Sequence, residues 1–570
     1  MRNAPVLTPP RRLTGRADLY CAAGGALLVL TAFVVPRMLS ERERGLLFAG
    51  AAPIFGNWLP HIGWGTGPAI GIAALVICYG PDLARRLPWR RALLLTWMSA
   101  VAWAFALAMV DGWQRGVAGR LTTGDEYLHE VGGVHDIPAM LRGFSGRILD
   151  FQPDSWTTHV SGHPPGALLT FVLLDRIGLG GGGWAAALCV LVGTSAAVAI
   201  PVTIRALGAT SDGERGAEGT PGATVTASTR TEYVSTAERR ARAVLPFLAL
   251  APAAIWIAVS ADGLFAGVTA WAVALLALAT RRQANWVLAA LGAGLLFGYA
   301  IFLSYGLVLM AVPAAAVLVA RTLRPAVPAL VGAVLVVAAF KAAGFWWLDG
   351  YHLVVQRYYQ GIASDRPYSY WVWANLAATV CAVGLAPVAA LHRVVRELGL
   401  GILWGRRDQP AMPSSATPEP PRPEPLVPVP ATVEAASTTS GPSSGAGSAV
   451  SAPVSTATRS PATGIERSKH TAAGPNSFAF AEAAATWANR LRRWRTAVDP
   501  VALVAAAGVA ALLLADLSGL SKAETERIWL PFDVWVLAAA ALLPARHTRV
   551  WLAVQAVGAF VLVHVILTNW

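Results

Sequence analysis

The stretch that organises this chain is GDEYLHEVGGVHDIPAMLRGFSGRILDFQPDSWTTHVSGHPPG, residues 124–166. It contains four of the ten histidines and six carboxylates, although the chain around it is apolar and poor in charge. One hydrophobic segment ends before it near Val110, and another hydrophobic run begins after it at Ala167. We therefore expect a polar loop at a membrane surface, where the acids and histidines carry the chemistry and the other segments form the scaffold.

The composition indicates an all-α polytopic membrane protein. Hydrophobic residues make up 55% of the chain and charged residues only 14%, against about 25% charged residues in soluble domains. Many runs approach the roughly 20 apolar residues that a bilayer-spanning helix needs. The net charge of +13 does not indicate a nucleic-acid-binding protein, because most arginines lie in short loops between apolar runs, as the positive-inside rule predicts.

Hydropathy and basic loops together predict a bundle of about 13 transmembrane helices, with the amino terminus in the cytoplasm and the carboxyl terminus outside. The loop PDLARRLPWRR, residues 81–91, is expected in the cytoplasm, so the next span delivers residues 111–166 to the outer face. The predicted spans are 18–36, 65–80, 92–110, 184–204, 243–260, 263–280, 285–301, 303–320, 326–346, 371–391, 498–516, 529–544 and 550–568.

Three domains follow from these spans. Residues 1–404 form the transmembrane core, which carries the external loop 111–166. Residues 405–476 are rich in Pro, Ala, Ser and Thr and are predicted to be a disordered cytoplasmic insert. Residues 477–570 are predicted to contain an amphipathic helix at the inner membrane surface, followed by the last three spans. Within the core, residues 208–240 are also predicted to be disordered.

The run PPGALLTFVLLDR after His163 is predicted to be a helix that lies at the outer membrane surface and does not cross the bilayer. Pro164 and Pro165 fit its start, where a missing N–H donor costs least.

The acidic pair Asp125 and Glu126 is the first candidate for catalysis. A solvated pair is the common interpretation of such residues in a loop. Partial burial beside Tyr127, however, would tune a carboxylate for general-base work. Glu126 and His129 also have ExxH spacing, which on a helix places both on one face as ligands of a divalent metal ion. Both alternatives stay open at this point.

The segment SWTTHVSGHPPG supplies the second candidate group, Trp156, His159 and His163. Histidines at a membrane surface commonly bond to the backbone. The alternative is phosphate binding or protonation of a leaving group, which suits an imidazole near neutral pH.

The layout of these motifs resembles the GT-C membrane glycosyltransferases, which include protein O-mannosyltransferases and the lipid A aminoarabinose transferase. The likeness covers about two thirds of the chain as layout plus short motifs. The matching segments are GDEYLHEV (124–131), GHPPGALLTFVLLDRIGLGG (162–181), WAAAL (184–188), IRALG (204–208), SADGLFAG (260–267) and KAETERIWLPF (522–532), the last of which is similar to actinobacterial members. The chain departs from the family in having two extra early spans and HPPG in place of HPPL or KPPL.

The resemblance implies a polyprenyl-phosphate-linked sugar as donor, an envelope glycan or lipid as acceptor, and action at the outer face of the plasma membrane. It implies Asp125 as general base with Glu126 as the substitute. Cations for the leaving phosphate are expected from His163, Arg527 and Lys522, with Arg357 or Arg366 as alternatives. Substrate contacts are expected from His159, Trp156, Asp262 and Tyr127.

Two other functions fit the sequence. A transporter or lipid flippase would place ionisable groups near the middle of the bilayer. A non-catalytic scaffold of envelope assembly would make use of the long cytoplasmic insert. The clustering of polar residues at one membrane surface favours the enzyme.

Overall fold

A computed structural model describes residues 15–208, 227–281, 284–403 and 475–569. The chain is mostly helical, and it contains enough apolar helices to be a multi-pass membrane protein. The described residues include eight helices that are long and apolar enough to cross a membrane, or up to ten if each of two bent pairs is one span. The eight are Gly15–Met38, Thr66–Arg86, Trp89–Ala108, Gly182–Leu207, Ala261–Ala279, Trp286–Leu303, Pro500–Leu517 and Ala545–Val565.

This count is lower than the predicted 13 or so, although every predicted span contains part of a helix. Two predicted spans are bent pairs: Ala326–Ala342 with Trp347–Gln360 at 75°, and Tyr368–Val383 with Leu385–Leu403 at 108°. Two more, Tyr305–Ala320 and Leu530–Leu542, are shorter apolar helices. The remaining predicted span, 243–260, overlaps the helix Ala227–Ala249, which carries several charged residues. The predicted count is higher because the mean hydropathy of a window does not show where a helix bends or ends early.

The remaining elements are short. Three-residue strands Gly56–Trp58 and Ile566–Thr568 pair antiparallel, with Gly56 opposite Thr568. The short α-helices are Glu41–Gly45, Tyr127–Val131, Ile137–Gly143, Thr158–Ser161, Pro165–Arg176, Ala254–Ile257, Leu400–Leu403, Thr525–Ile528 and Leu530–Val536. One or two turns of 3₁₀ or π helix occupy Gln114–Ala118, Arg120–Thr122, Phe144–Arg147, Tyr305–Met310, Leu537–Leu542 and Ala545–His547.

The polar loop is folded, since four of the short helices lie within it or directly after it. The helix Pro165–Arg176 begins with Pro164 as its N-cap, as predicted. Its Thr170 hydroxyl lies 2.7 Å from the Tyr299 hydroxyl on a neighbouring span. Gly166 is required at this contact, because a Cβ there would lie 2.5 Å from the Phe302 carbonyl oxygen. This close approach explains why glycine follows the two prolines.

The structure bears differently on the two segments that were predicted to be disordered. The predicted disordered segment 208–240 is partly helical, because the helix Ala227–Ala249 begins within it. The insert 405–476 lies almost wholly outside the described residues. The amphipathic helix predicted after it is present as Pro475–Ala497, and it docks through the buried Trp494, whose indole N–H donates to the Leu398 carbonyl at 2.7 Å.

The helices after the insert pack into the same hydrophobic core as those before it. One end of the bundle is basic: Arg242 donates to the Ala84 and Leu87 carbonyls, and Arg240 pairs with Asp499 at 3.2 Å. The helix Pro500–Leu517 runs from this basic end to the opposite end, where the Asp516 carbonyl accepts a hydrogen bond from Tyr368. The candidate site residues gather at that second, polar end.

Candidate functional site

Arg527 is the centre of the site. It lies in the short helix Thr525–Ile528, and only 4% of its surface is exposed. Its Nη1 donates to Asp262 Oδ2 at 2.7 Å, and its Nη2 donates to His159 Nε2 at 2.8 Å and to Glu524 Oε2 at 2.9 Å. Burial lowers the pKa of Arg527, but the negative charges of Asp262 and Glu524 outweigh this and hold the pKa above its ordinary value.

Asp262 is the second residue of the helix Ala261–Ala279 and is 3% exposed. Ser260, the N-cap of that helix, donates its hydroxyl to Asp262 Oδ2 at 2.7 Å and accepts the Asp262 backbone N–H at 3.0 Å. An unpaired carboxylate in such a position would be costly, so the contact with Arg527 explains how it is retained. The two sequence candidates, which are 265 residues apart, therefore form one buried ion pair.

His159 links this pair to the acidic loop. Its Nδ1 lies 2.8 Å from the Asp125 carbonyl oxygen, which can only accept, so Nδ1 carries the proton. Its Nε2 faces the Arg527 N–H, which can only donate, so Nε2 presents a lone pair. His159 is therefore the neutral Nδ1–H form, and both of its nitrogens contact protein.

The two acids of the loop face in different directions. The Asp125 side chain is exposed, and the Thr158 hydroxyl lies 3.5 Å from its Oδ1. Glu126 is only 2% exposed, and its Oε1 lies 3.6 Å from His159 Nδ1, too far for a hydrogen bond. Of this pair, Asp125 is the carboxylate that solvent can reach.

Glu524 and Glu526 were not among the sequence candidates, although both lie in the quoted segment KAETERIWLPF. Glu524 contacts Arg527 and also Arg366, whose Nη1 and Nη2 lie 3.2 Å from Glu524 Oε1. Burial raises the pKa of Glu524, but the charges of Arg527 and Arg366 outweigh it and lower the pKa. Arg366, which the sequence offered as an alternative cation for the phosphate, is only 4% exposed, and its guanidinium forms an ion pair with Glu524.

Glu526 has the opposite environment. It is fully buried, and burial raises its pKa to about 7. Its Oε1 accepts the Phe55 backbone N–H at 2.8 Å, whereas its Oε2 has no hydrogen-bond partner among the described residues. Two acids two residues apart are therefore driven in opposite directions by their surroundings.

The backbone before Arg527 is strained. Ala523 and Glu524 have φ values of +67° and +63°, in the left-handed region that non-glycine residues seldom adopt. Such residues cost on the order of 1–3 kcal/mol each and occur where the surrounding structure holds a functional group in place. Here the turn directs both Glu524 and Arg527 into one network.

His163 lies between the rings of Tyr127 and Phe265, with centroids 5.7 and 5.8 Å away. Its Nδ1 lies 2.8 Å from the His159 carbonyl oxygen and donates to it. Burial lowers the pKa of His163 to about 4, so the ring is neutral at pH 7. Its single N–H is used by the His159 carbonyl, so the neutral ring offers a phosphate neither a positive charge nor a free donor.

Trp156, Lys522 and Tyr127 have other contacts. Trp156 donates its indole N–H to the Phe144 carbonyl at 3.0 Å, and the Arg147 guanidinium lies 3.3 Å above its ring. Lys522 Nζ donates to the Ser364 carbonyl at 3.1 Å. The Tyr127 ring lies 6.2 Å from that of His159. Tyr127 thus lines the site, whereas these contacts of Trp156 and Lys522 are with other parts of the loops.

The predicted metal pair does not share a helix face. Glu126 is the extended N-cap before the helix Tyr127–Val131, so the helical spacing assumed for ExxH does not apply, and His129 is exposed whereas Glu126 is buried. Within residues 15–208, 227–281, 284–403 and 475–569, no group of three His, Cys, Asp or Glu side chains is placed to hold a metal ion.

Comparisons with family models, with curated proteins and with solved structures find no match for this chain. An exposed carboxylate at the rim of the network can accept a proton, and the arginines behind it can balance the negative charge of acidic groups.

Proposed function

We propose that this chain is an integral membrane glycosyltransferase of GT-C type, with its site at the outer face of the plasma membrane. It transfers a sugar from a polyprenyl-phosphate donor to an envelope glycan or lipid acceptor. The observation that supports this most is the placement of Asp125 at one end of an apolar bundle. Its carboxylate is exposed, and its main-chain carbonyl is hydrogen-bonded to His159, which in turn contacts the buried Arg527.

In the proposed reaction, Asp125 accepts the proton of the acceptor hydroxyl as the new bond to the sugar anomeric carbon forms. The bond from that carbon to the phosphate oxygen breaks, and the polyprenyl phosphate leaves with the bonding electrons. Charge on the anomeric carbon in the transition state is stabilised by nearby carboxylates. A membrane-anchored donor fits a site that lies at the end of membrane helices.

The leaving phosphate needs cations or hydrogen-bond donors, for which Arg527 and Lys522 are the candidates, since the single N–H of His163 is used by the His159 carbonyl. Both Nη2 hydrogens of Arg527 are used by His159 and Glu524, so phosphate binding there would exchange one of these contacts. Lys522 Nζ has one carbonyl contact at 3.1 Å and can turn to an anion at small cost.

The test is transfer by purified protein in proteoliposomes, from a panel of radiolabelled polyprenyl-phosphate sugars to a membrane lipid and glycan fraction. Asp125→Asn and Asp125→Ala are expected to lower the rate about 10²- to 10⁴-fold, the usual worth of a positioned general base. Asp154→Asn is the matched control, because Asp154 is an exposed carboxylate of the same loop. Transfer by Asp125→Asn at the wild-type rate would remove Asp125 as the base, and no transfer by the wild type from any donor would argue against the proposal.

A second candidate, a proton-coupled transporter of a lipid-linked substrate, is favoured by Asp533. This residue is fully buried, and neither carboxyl oxygen has a hydrogen-bond partner within the described residues. It lies six residues after Arg527, in the next short helix, Leu530–Val536. A transporter predicts that Asp533→Asn abolishes substrate-driven proton uptake by vesicles, whereas the glycosyltransferase predicts no such uptake in the wild type.

A further inference from the structure

The hydrogen bonds of His159 define a connection that the sequence does not contain. Two bonds join residue 159 to the Asp125 carbonyl oxygen, one from the ring Nδ1 at 2.8 Å and one from the backbone N–H at 3.0 Å. On the other side of the ring, Nε2 accepts from Arg527 at 2.8 Å. The imidazole therefore bridges a buried guanidinium and the main chain of the proposed base.

A second histidine fixes the bridge. His163 donates its Nδ1–H to the His159 carbonyl at 2.8 Å, which closes the turn after the short helix Thr158–Ser161. His159 is 7% exposed, so the bridge is shielded from water. Its direction is set by chemistry, because an arginine can only donate and a carbonyl can only accept.

We propose that His159 is a positioning residue that couples Arg527 to Asp125 and does not itself contact the sugar. The proposal deepens the proposed function and rests on it for the role of Asp125, but the coupling itself can be measured without any transfer. Because the neutral ring accepts from Arg527 and donates to the Asp125 carbonyl, Arg527 and its carboxylates set the position of a carboxylate that they do not touch.

Two amide substitutions separate the two halves of the bridge. The amide of His159→Asn occupies the place of Nδ1 and can still donate to the Asp125 carbonyl. The amide of His159→Gln reaches the place of Nε2 and can still accept from Arg527. His135→Gln is the matched control, since His135 is an exposed histidine of the same loop.

The first measurement is the rate at which a membrane-impermeant maleimide labels Asp125→Cys in the full-length protein, followed by mass spectrometry of the peptide that contains residue 125. Loss of the ring bond to the Asp125 carbonyl in His159→Gln is expected to raise the rate about fivefold, the effect of one hydrogen bond. Loss of the Arg527 contact in His159→Asn is expected to raise the rate as well, because Arg527 then no longer fixes residue 159, whereas His135→Gln is expected to keep the rate of the parent. The parent rate in His159→Asn would show that Arg527 does not act on Asp125 through residue 159, and it would overturn the proposal.

The second measurement is sugar transfer. Positioning through both contacts predicts that His159→Gln and His159→Asn each lower kcat with little change in KM. A rise in KM with kcat unchanged would instead make His159 a substrate-binding residue and overturn the proposal. If the wild type transfers no sugar, the labelling rates still decide the coupling, so the two proposals can fail separately.

Discussion

Each end of the bundle contains a buried group made of an aspartate, an arginine and a histidine, and the two groups differ in which residue lies in the middle. At the basic end, Asp18 accepts from Arg393 Nε and Nη2 at 2.7 and 2.9 Å, and His392 Nε2 lies 2.7 Å from its Oδ1. At the polar end, Arg527 lies between Asp262 and His159 and donates to both. His159 in turn donates to the Asp125 carbonyl.

The comparison shows that residue types alone do not distinguish a structural ion pair from a candidate site. His392 Nε2 faces a carboxylate and must donate, whereas His159 Nε2 faces a guanidinium and must accept. In the Asp18 group, both oxygens of the aspartate are bonded to Arg393 and His392, and the group joins two helices. We call this group closed, because neither carboxylate oxygen is left without a partner. The Arg527 group extends through Glu524 to Arg366 and through His159 to an exposed carboxylate, so it is open at its rim.

Replacing Arg527 should have the largest effect. Arg527→Met leaves Asp262 and Glu524 buried without their shared cation, which costs about 3–5 kcal/mol of stability. Thermal unfolding midpoints in one detergent measure the loss. Arg549→Met is the control, because the Arg549 side chain is 56% exposed and its surface pair with Asp82 contributes little to stability. Similar shifts in the two variants would show that the Arg527 network does not stabilise the fold.

The pH dependence of stability should separate Glu526 from Glu524. Glu526 has a pKa raised from 4.5 to about 7, so the folded state binds more protons than the unfolded state between these values, and stability falls by about 3 kcal/mol as pH rises through that window. Glu526→Gln should flatten this slope. The contribution of Glu524 has the opposite sign and is lost below pH 4.5, because its pKa is lowered. Unfolding midpoints between pH 4.5 and 7.5 that are the same for wild type and variant would contradict the assignment.

Breaking the Asp18 group should have a smaller and purely structural effect. Asp18→Asn is expected to cost about 1–3 kcal/mol, since the Arg393 and His392 side chains are 12% and 19% exposed and regain contact with water. Maleimide labelling of Asp125→Cys and sugar transfer should not change. A change in either would mean that the closed group at the basic end is coupled to the polar end.

The smallest expected effect on stability comes from comparing a buried carboxyl that has a hydrogen-bond partner with one for which the described residues provide none. Asp533→Leu should raise the stability by about 1 kcal/mol, because it removes a buried polar group that makes no hydrogen bond in the described part of the chain. Asp516→Leu should lower it, because Asn375 Nδ2 donates to Asp516 Oδ1 at 2.9 Å and would lose this acceptor. Unfolding midpoints of the two variants check the difference in sign. Destabilisation by Asp533→Leu would point to a water or ion bound at this carboxyl.

Much of the fold could be predicted from local sequence patterns. Apolar runs located a helix for every predicted span, and the double proline located the start of the helix at Pro165. The break at Gly384, where φ is +82°, escaped prediction because the residues on both sides are apolar. Pairing of Arg527 with Asp262 escaped it because nothing near either residue specifies a partner 265 positions away.

The sequence by itself determined that the chain forms membrane helices and which short polar segments interrupt them, because burial of apolar side chains depends on local composition. Only the tertiary structure decided that Asp125 faces outward while Glu126 is buried, that His159 is a neutral bridge, and that Glu524 and Glu526 have opposite pKa shifts. These properties depend on which group lies within about 3 Å of which other group. Distances of that kind are set by the packing of helices that are far apart in the chain.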